Sequence, residues 1–373
     1  MMSWVRTLGV LLACSLMIAC QSQTRREVAG RVSLPIVQFE DGILLEARTA
    51  SGEELILLLD SGASVSVISP DVVNRLGLST RHDERLIVAA DGSTTRATQA
   101  VAMRELAFGG LVVRDFSAMV LDISHLGRDV DGIIAMSAFE SRVTIDYEHS
   151  EVTVGGDVPV GAVRIGLASG AVARIEAVVA GRAIEVILDT AGNGAWSLPL
   201  EGISLLPGLG VQRGVIQIDG MRVRSSERLD GSASIGRVEF HEPIVHASSG
   251  PARVGQRVLC ELGVLTFDFA DRCVWIHDAA YRSVKMDPMR GIGAILHPQA
   301  ESWVVRSVEP GLPAWQVGLE SGERVYAIDG MTGGALTAGA LRARVARSGV
   351  LRLDVVRDGQ RVTLPVPVVY IQP

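Results

Sequence analysis

The stretch Leu55-Ile56-Leu57-Leu58-Leu59-Asp60-Ser61-Gly62-Ala63-Ser64-Val65-Ser66-Val67-Ile68-Ser69 sets an acid at the end of an unbroken apolar run. A Ser-Gly turn follows, then alternating small and β-branched residues. Five consecutive apolar residues bounded by turn formers read as a buried strand. An ionisable Asp at the mouth of such a strand is costly to bury unless neighbours support it. The sequence repeats the pattern 129 positions later, as Ile184-Glu185-Val186-Ile187-Leu188-Asp189-Thr190-Ala191-Gly192. Two strand-end acids in one protein are the central feature of the sequence.

The remaining composition narrows the class. The 373 residues suffice for two or three domains, with 48% apolar and 21% charged residues in a globular balance. A net charge of −7 lacks the basic footprint that nucleic-acid binding needs. Aromatics at 4% beside 40 glycines favour many short strands and tight turns over long helices. At the N-terminus, Arg6 precedes an apolar stretch from Leu8 to Ala19 that is too short to span a bilayer comfortably. It ends in Met17-Ile18-Ala19-Cys20. The segment resembles a bacterial lipoprotein signal (residues 1–20), which implies lipidation at Cys20 and a lipid-anchored protein facing the periplasm. Gln21 after the Cys, by the same resemblance, favours the outer membrane. Ordinary signal-peptidase cleavage and an uncleaved anchor are the alternatives. Leu11-Leu12-Ala13-Cys14 shows a similar pattern but leaves an apolar region of only about seven residues.

Residues 21–34 read as a polar tether, and from Pro35 onward the pattern is β. A short helix is expected over Pro70 to Leu76, with Ser69 as N-cap and Gly77 as its stop. Leu86 to Ala90, Asp91-Gly92 and Ser93 to Thr98 carry a strong hairpin signal. Further strands are expected at 101–107, 111–120 and 143–147. The hairpin Val143 to Val154 has a counterpart in Leu265 to Ile276, offset by 122. Order, spacing and local pattern recur together, so the sequence holds an internal duplication of about 120–130 residues. Cys260 and Cys273 are expected as two buried thiols, a disulfide between them being open only if the segment at 256–261 folds back. A hairpin at 263–277 puts Cys260 roughly 26 Å along the strand from the position facing Cys273, and a disulfide needs Cα atoms within about 7 Å. His241 and His246 lie in one short stretch without a metal-ligand pattern and read as a solvated loop. No metal site or cofactor is expected.

Hydrophobic strand, Asp-Ser-Gly, small and β-branched residues, an Asp-Gly hairpin and the later Asp131-Gly132-Ile133-Ile134-Ala135 segment together resemble the retropepsin-like aspartic proteases. The resemblance implies two β-barrel lobes in tandem, residues 35–158 and 159–283, with their Asp loops facing each other. It implies Asp60 and Asp189 as the catalytic pair, with a protein or peptide substrate. Two carboxylates about 3 Å apart cannot both ionise, so one keeps a proton and the pair supplies both acid and base. Gly62 would let the backbone pass close to the attacking water. The hydroxyls of Ser61 and Thr190 would hydrogen-bond across the loops and fix the acids. Asp91-Gly92 would be the tip of a flap that closes over an extended substrate. Three features depart from the family pattern. Ala191 stands where a glycine is expected. Ala135 and Leu259 stand near a second expected glycine, with Gly255 as a shifted version. The flap has no tyrosine. The readings left open are a bilobal protease, a self-associating enzyme using Asp60 from each of two copies, and a degenerate peptide binder.

After Arg282 the character changes. Trp303 to Val308, Pro310-Gly311-Leu312-Pro313-Ala314, Gly318-Leu319 and Arg324 to Gly330 resemble the PDZ family over about 285–373. The resemblance implies an α+β domain that takes peptide C-termini, with Gly291-Ile292-Gly293 as the loop whose amides hold the carboxylate. A domain that merely packs on the protease is the alternative.

Overall fold

The computed structural model describes residues 30–39, 42–88, 94–126, 130–207, 211–217, 220–278, 280–299, 301–332 and 338–372. Cys20, Asp91 and Gly92 lie outside them. Strands make up 53% and helix 10%, the β-rich outcome that the glycine and aromatic content predicts.

Strand Glu54–Asp60 alternates strictly. Leu55, Leu57 and Leu59 are fully buried in the main core, while Ile56 and Leu58 pack on a smaller cluster around Leu44, Val67, Ile123, Val130 and Ile133. The five apolar residues therefore serve two apolar layers, one on each face of the sheet. In the first unit the sheet runs Ile36–Gln38, Leu44–Thr49, Glu54–Asp60, Gly132–Ala135, Ser66–Ile68, Leu111–Val120, Thr94–Phe108, Thr80–Val88. Arg48 and Thr49 also pair with Ala107 and Leu106, which closes the sheet into a barrel. Helix Pro70–Leu76 has the expected bounds: the Ser69 hydroxyl accepts from the Val72 amide, and Gly77 ends it at φ +60°.

The second unit repeats the connectivity. Its sheet contains, in order, Arg174–Val179, Arg182–Leu188, Arg253–Val254, Trp196–Leu198, Ile244–Ala247, Gly220–Arg228 and Val211–Gln217. In both units the acid strand pairs in parallel with a strand from late in the unit, and that strand pairs antiparallel with the short strand after the acid loop. A six-stranded sheet joins the units in the order Arg31–Ser33, Glu151–Gly155, Val143–Asp146, Val264–Asp268, Cys273–Ile276, Val163–Gly166. At its middle Thr144 faces Thr266, their hydroxyls 2.7 Å apart, so the two hairpins meet on like residues.

Several expectations need correction. The polypeptide joins the fold before residue 35: Arg31–Ser33 pairs with Glu151–Gly155, and Leu34 is buried. At the other end, Arg282–Lys285 pairs with Val238–His241 and Met286 is buried in the main core, so the second unit runs past residue 283. Both cysteines are free, but Cys260 is exposed and only Cys273 is buried. His246 is no loop residue. It lies in strand Ile244–Ala247, is buried, and its Nδ1 sits 2.9 Å from the Ser226 hydroxyl.

The C-terminal segment has its own core, including Trp303, Val305, Val325, Leu351, Leu353 and Val355. Its sheet runs Ala294–Pro298, Trp303–Val308, Arg324–Ile328, Val350–Arg357, Gln360–Pro367, with helices Pro313–Gln316 and Ala338–Arg347.

Candidate active site

Asp60 is the last residue of its strand and lies beside Ala135 in the parallel pair. Its Oδ1 accepts the Gly62 amide at 2.6 Å. Asp189 follows strand Arg182–Leu188; its own amide donates to the Val254 carbonyl at 2.9 Å. Its Oδ1 accepts the Ala191 amide at 3.2 Å and the Gly192 amide at 2.9 Å. Ala191 is not among the residues with positive φ, so the second loop turns without the backbone conformation that favours glycine. Register also decides the second expected glycine. Leu188 pairs with Val254 as Leu59 pairs with Ile134, which makes Gly255, not Leu259, the counterpart of Ala135. A Cβ at Gly255 would lie 2.5 Å from the Gly194 carbonyl and 2.6 Å from the Gly192 carbonyl, so only glycine fits.

Ser61 and Thr190 lock the loops together by reciprocal bonds. The Ser61 hydroxyl donates to the Leu188 carbonyl at 2.5 Å and accepts from the Thr190 amide at 3.2 Å. The Thr190 hydroxyl donates to the Leu59 carbonyl at 2.9 Å and accepts from the Ser61 amide at 3.0 Å. Both side chains are fully buried. Each hydroxyl thus satisfies a carbonyl just before the other unit's acid and an amide just after it. Gln256 adds a bond from Nε2 to the Thr190 carbonyl at 2.6 Å.

The electrostatics follow from this closeness. Burial first, and the Asp189 charge second, push the Asp60 carboxyl up to about 7 from 3.8; the Arg253 charge and the Gly62 and Ala63 amides oppose them. A carboxyl that titrates near neutrality beside a second carboxyl can hold or release a proton under mild conditions.

Residues 46–138 match the aspartyl protease family. The match spans the Asp60 loop and the strand after it through Ala135, and it suggests aspartic-type peptidase activity on peptide or protein substrates. No curated protein matches this sequence.

Arg253, like Gln256, is a site residue that sequence reasoning missed. Its Nη1 donates to Asp189 Oδ2 at 3.2 Å, with both side chains 11% exposed. Strand register, not local sequence, matches Pro251-Ala252-Arg253-Val254-Gly255 to Asp131-Gly132-Ile133-Ile134-Ala135. An Arg in the place of an apolar residue hid the equivalence. Asp131, for its part, is structural: its carboxylate accepts the Ile56 amide and pairs with Arg75, both at 2.9 Å.

Elsewhere, the strands of the hairpin expected around Asp91-Gly92 pair from Thr80–Val88 to Thr94–Phe108, with Leu86 and Val88 exposed near its end. In the C-terminal segment, Gly291, Ile292 and Gly293 sit against a helix start. The Ile292 carbonyl accepts the Ala314 amide at 2.8 Å, and the Gly293 carbonyl accepts the Glu309 amide at 2.7 Å. Gly293 has φ +78°, and a Cβ there would lie 2.3 Å from Leu312.

Proposed function

We propose that the protein is an aspartic-type endopeptidase whose nucleophile is a water held between Asp60 and Asp189. The observation that carries this reading is the reciprocal Ser61–Thr190 bonding, which fixes both strand-end acids from within one polypeptide. It also supports the fused arrangement over a pair of copies that each lend Asp60.

The ionised carboxylate takes a proton from the water as its oxygen attacks the scissile carbonyl, and the protonated carboxyl gives its proton to the carbonyl oxygen. The tetrahedral diol then collapses: the C–N bond breaks, one hydroxyl returns a proton to a carboxylate, and the leaving nitrogen receives a proton from the dyad. Proton count is conserved, and no covalent enzyme intermediate forms. Gly62 leaves the first loop free of a Cβ that would lie 3.1 Å from Asp60 Oδ1. The Gly62, Ala191 and Gly192 amides orient the acids.

The test is hydrolysis of a denatured protein across pH 4–8. Both Asp60→Asn and Asp189→Asn are expected to lower turnover by about 10³-fold or more. Activity surviving in Asp189→Asn would point to Asp60 from two copies. A second reading, peptide binding without hydrolysis, is favoured by the guanidinium of Arg253 on Asp189. It predicts no cleavage by the wild type and retained peptide affinity.

In the same proposal the C-terminal segment is a PDZ-like module. Its strand Ala294–Pro298 is an edge strand to which a peptide could add, and the Gly291-Ile292-Gly293 loop receives the peptide's terminal carboxylate. Cys20 carries a lipid that holds the protein on the periplasmic side of the envelope. Loss of labelled-lipid incorporation in Cys20→Ala tests the anchor.

A further inference from the structure

Among the differences between the surroundings of the two acids, one introduces a charge. Ile133 pairs with Leu58, and Arg253 pairs with Ile187 at the corresponding register. Ile133 is buried in the apolar cluster with Leu44, Val67, Ile123 and Val130. Arg253 instead brings a largely buried cation against Asp189 at 3.2 Å. It also borders the opposite loop, since a Cβ built on Gly62 would lie 3.3 Å from its Nη1. Its Nε is buried and has no partner among the described residues.

A guanidinium offers five N–H donors in a planar fork, and its bond to one Asp189 oxygen uses one of them. A buried donor left without a partner carries the cost of its lost hydration. The fork geometry suits a carboxylate, which it can hold by two parallel bonds. We propose that Arg253 is a specificity-determining residue that binds a carboxylate of the substrate on the second unit's side of the scissile bond. The matching residue of the first unit, Ile133, is buried and offers no such donor, so the carboxylate is read on the second unit's side alone. This inference rests on the peptidase reading for the word substrate, but the binding chemistry stands without hydrolysis. The carboxylate can come from an acidic side chain or from the free C-terminus of a peptide.

Calorimetry on the purified full-length protein distinguishes these. One series of non-cleavable reduced-amide peptides, amidated at the C-terminus, carries a single Glu or Gln moved through the central positions. A second series without acidic residues compares free and amidated C-termini. The wild type is expected to bind the carboxylate member of one series at least tenfold more tightly. In Arg253→Met the preference falls below threefold, and Arg253→Lys keeps part of it; Arg253→Gln replaces the Met variant if the latter does not fold. A preference that persists in the Arg253 variants places the carboxylate elsewhere in the protein and overturns the proposal. So does the absence of any wild-type preference, whether both peptides bind alike or neither binds. Hydrolysis of denatured protein, and its loss in Asp60→Asn, is scored separately. Cleavage without preference removes the carboxylate proposal alone, and preference without cleavage removes the peptidase reading alone.

Discussion

The Asp60 and Asp189 loops reach the same hydrogen-bonding pattern from different sequences. In each, a buried hydroxyl one residue after the acid crosses to the other unit, and an amide two residues after it returns to the acid's Oδ1. They differ in what surrounds that shared frame. The first has Gly62, Ile133 and Ala135; the second has Ala191, Arg253 and Gly255. The glycine has moved from the acid's own turn to the strand beside it, and a cation has replaced an apolar side chain. The hydroxyls and the register therefore hold the geometry constant between the two units, while the small residues can trade places around it.

The largest expected contrast is between Gly255 and Ala135. At Gly255 a Cβ would meet two backbone carbonyls at 2.5 and 2.6 Å, and no side chain is there to give way. Just after it, the Gln256 amide donates to the Gly192 carbonyl at 2.7 Å. Gly255→Ala should cost about 3 kcal/mol or more, since overpacking already costs roughly 1–3 kcal/mol where side chains can adjust. Ala135→Gly should cost only about 0.5–1 kcal/mol. Urea unfolding of both variants measures the difference, and equal costs would mean that the two strands are not equivalent.

Next in size are the crossing hydroxyls. Ser61→Ala leaves the Leu188 carbonyl and Thr190 amide without their partner, and Thr190→Val does the same to Leu59 and Ser61. Each should lose about 1–3 kcal/mol. Because the bonds form one network, the double variant should lose less than the sum. Thr190→Ser keeps the hydroxyl and should stay close to wild type in stability and turnover. Strict additivity would show that the loops are held separately.

These residues also mark how far the sequence could be read. The acid strands, the helix at Pro70 and the paired hairpins were legible because each rests on a local pattern with a fixed period, a turn or a cap, whereas the crossing hydroxyls were expected only from the family resemblance. Arg253 and the role of Gly255 were not, because they depend on which strand from late in the unit lies beside the acid. That pairing is long-range, and no local periodicity sets it. The start of the fold at Arg31 was hidden for the same reason: three residues become a strand only because Glu151–Gly155 offers them an edge.

The charges around Asp60 give the third contrast. Its carboxyl rises from 3.8 to about 7 in the fold, so between those values the folded protein holds a proton that the unfolded one has lost. That contribution to stability is full below about pH 4 and disappears as pH rises through about 7. Asp60→Asn should therefore be more thermostable than wild type at pH 8, and the gain should vanish near pH 4. Turnover that needs this proton should fall above about pH 7. Arg253 holds Asp60 down, whereas burial and Asp189 raise it. Arg253→Met should thus shift the alkaline limb of the pH–kcat profile upward, a change that loss of packing alone would not produce.

The smallest expected effect is at Ala191, the residue that most sharply separates the second loop from the first. A Cβ at Gly62 would crowd Asp60 Oδ1 at 3.1 Å, and Arg253 Nη1 and Ile187 each at 3.3 Å. Ala191 carries its Cβ with ordinary backbone angles, and two amides, its own and that of Gly192, still reach Asp189. The acid is therefore held as well by the Ala-Gly turn as by a Ser-Gly turn. Ala191→Gly should change kcat/KM by no more than about threefold and cost less than about 1 kcal/mol from added backbone entropy. Gly62→Ala should do more harm, because two of the three contacts it strains are to the Asp60 carboxylate and the Arg253 guanidinium. If Ala191→Gly instead raised kcat/KM by about tenfold or more, the alanine would have to be holding Asp189 out of place, and the two loops would not be equal partners.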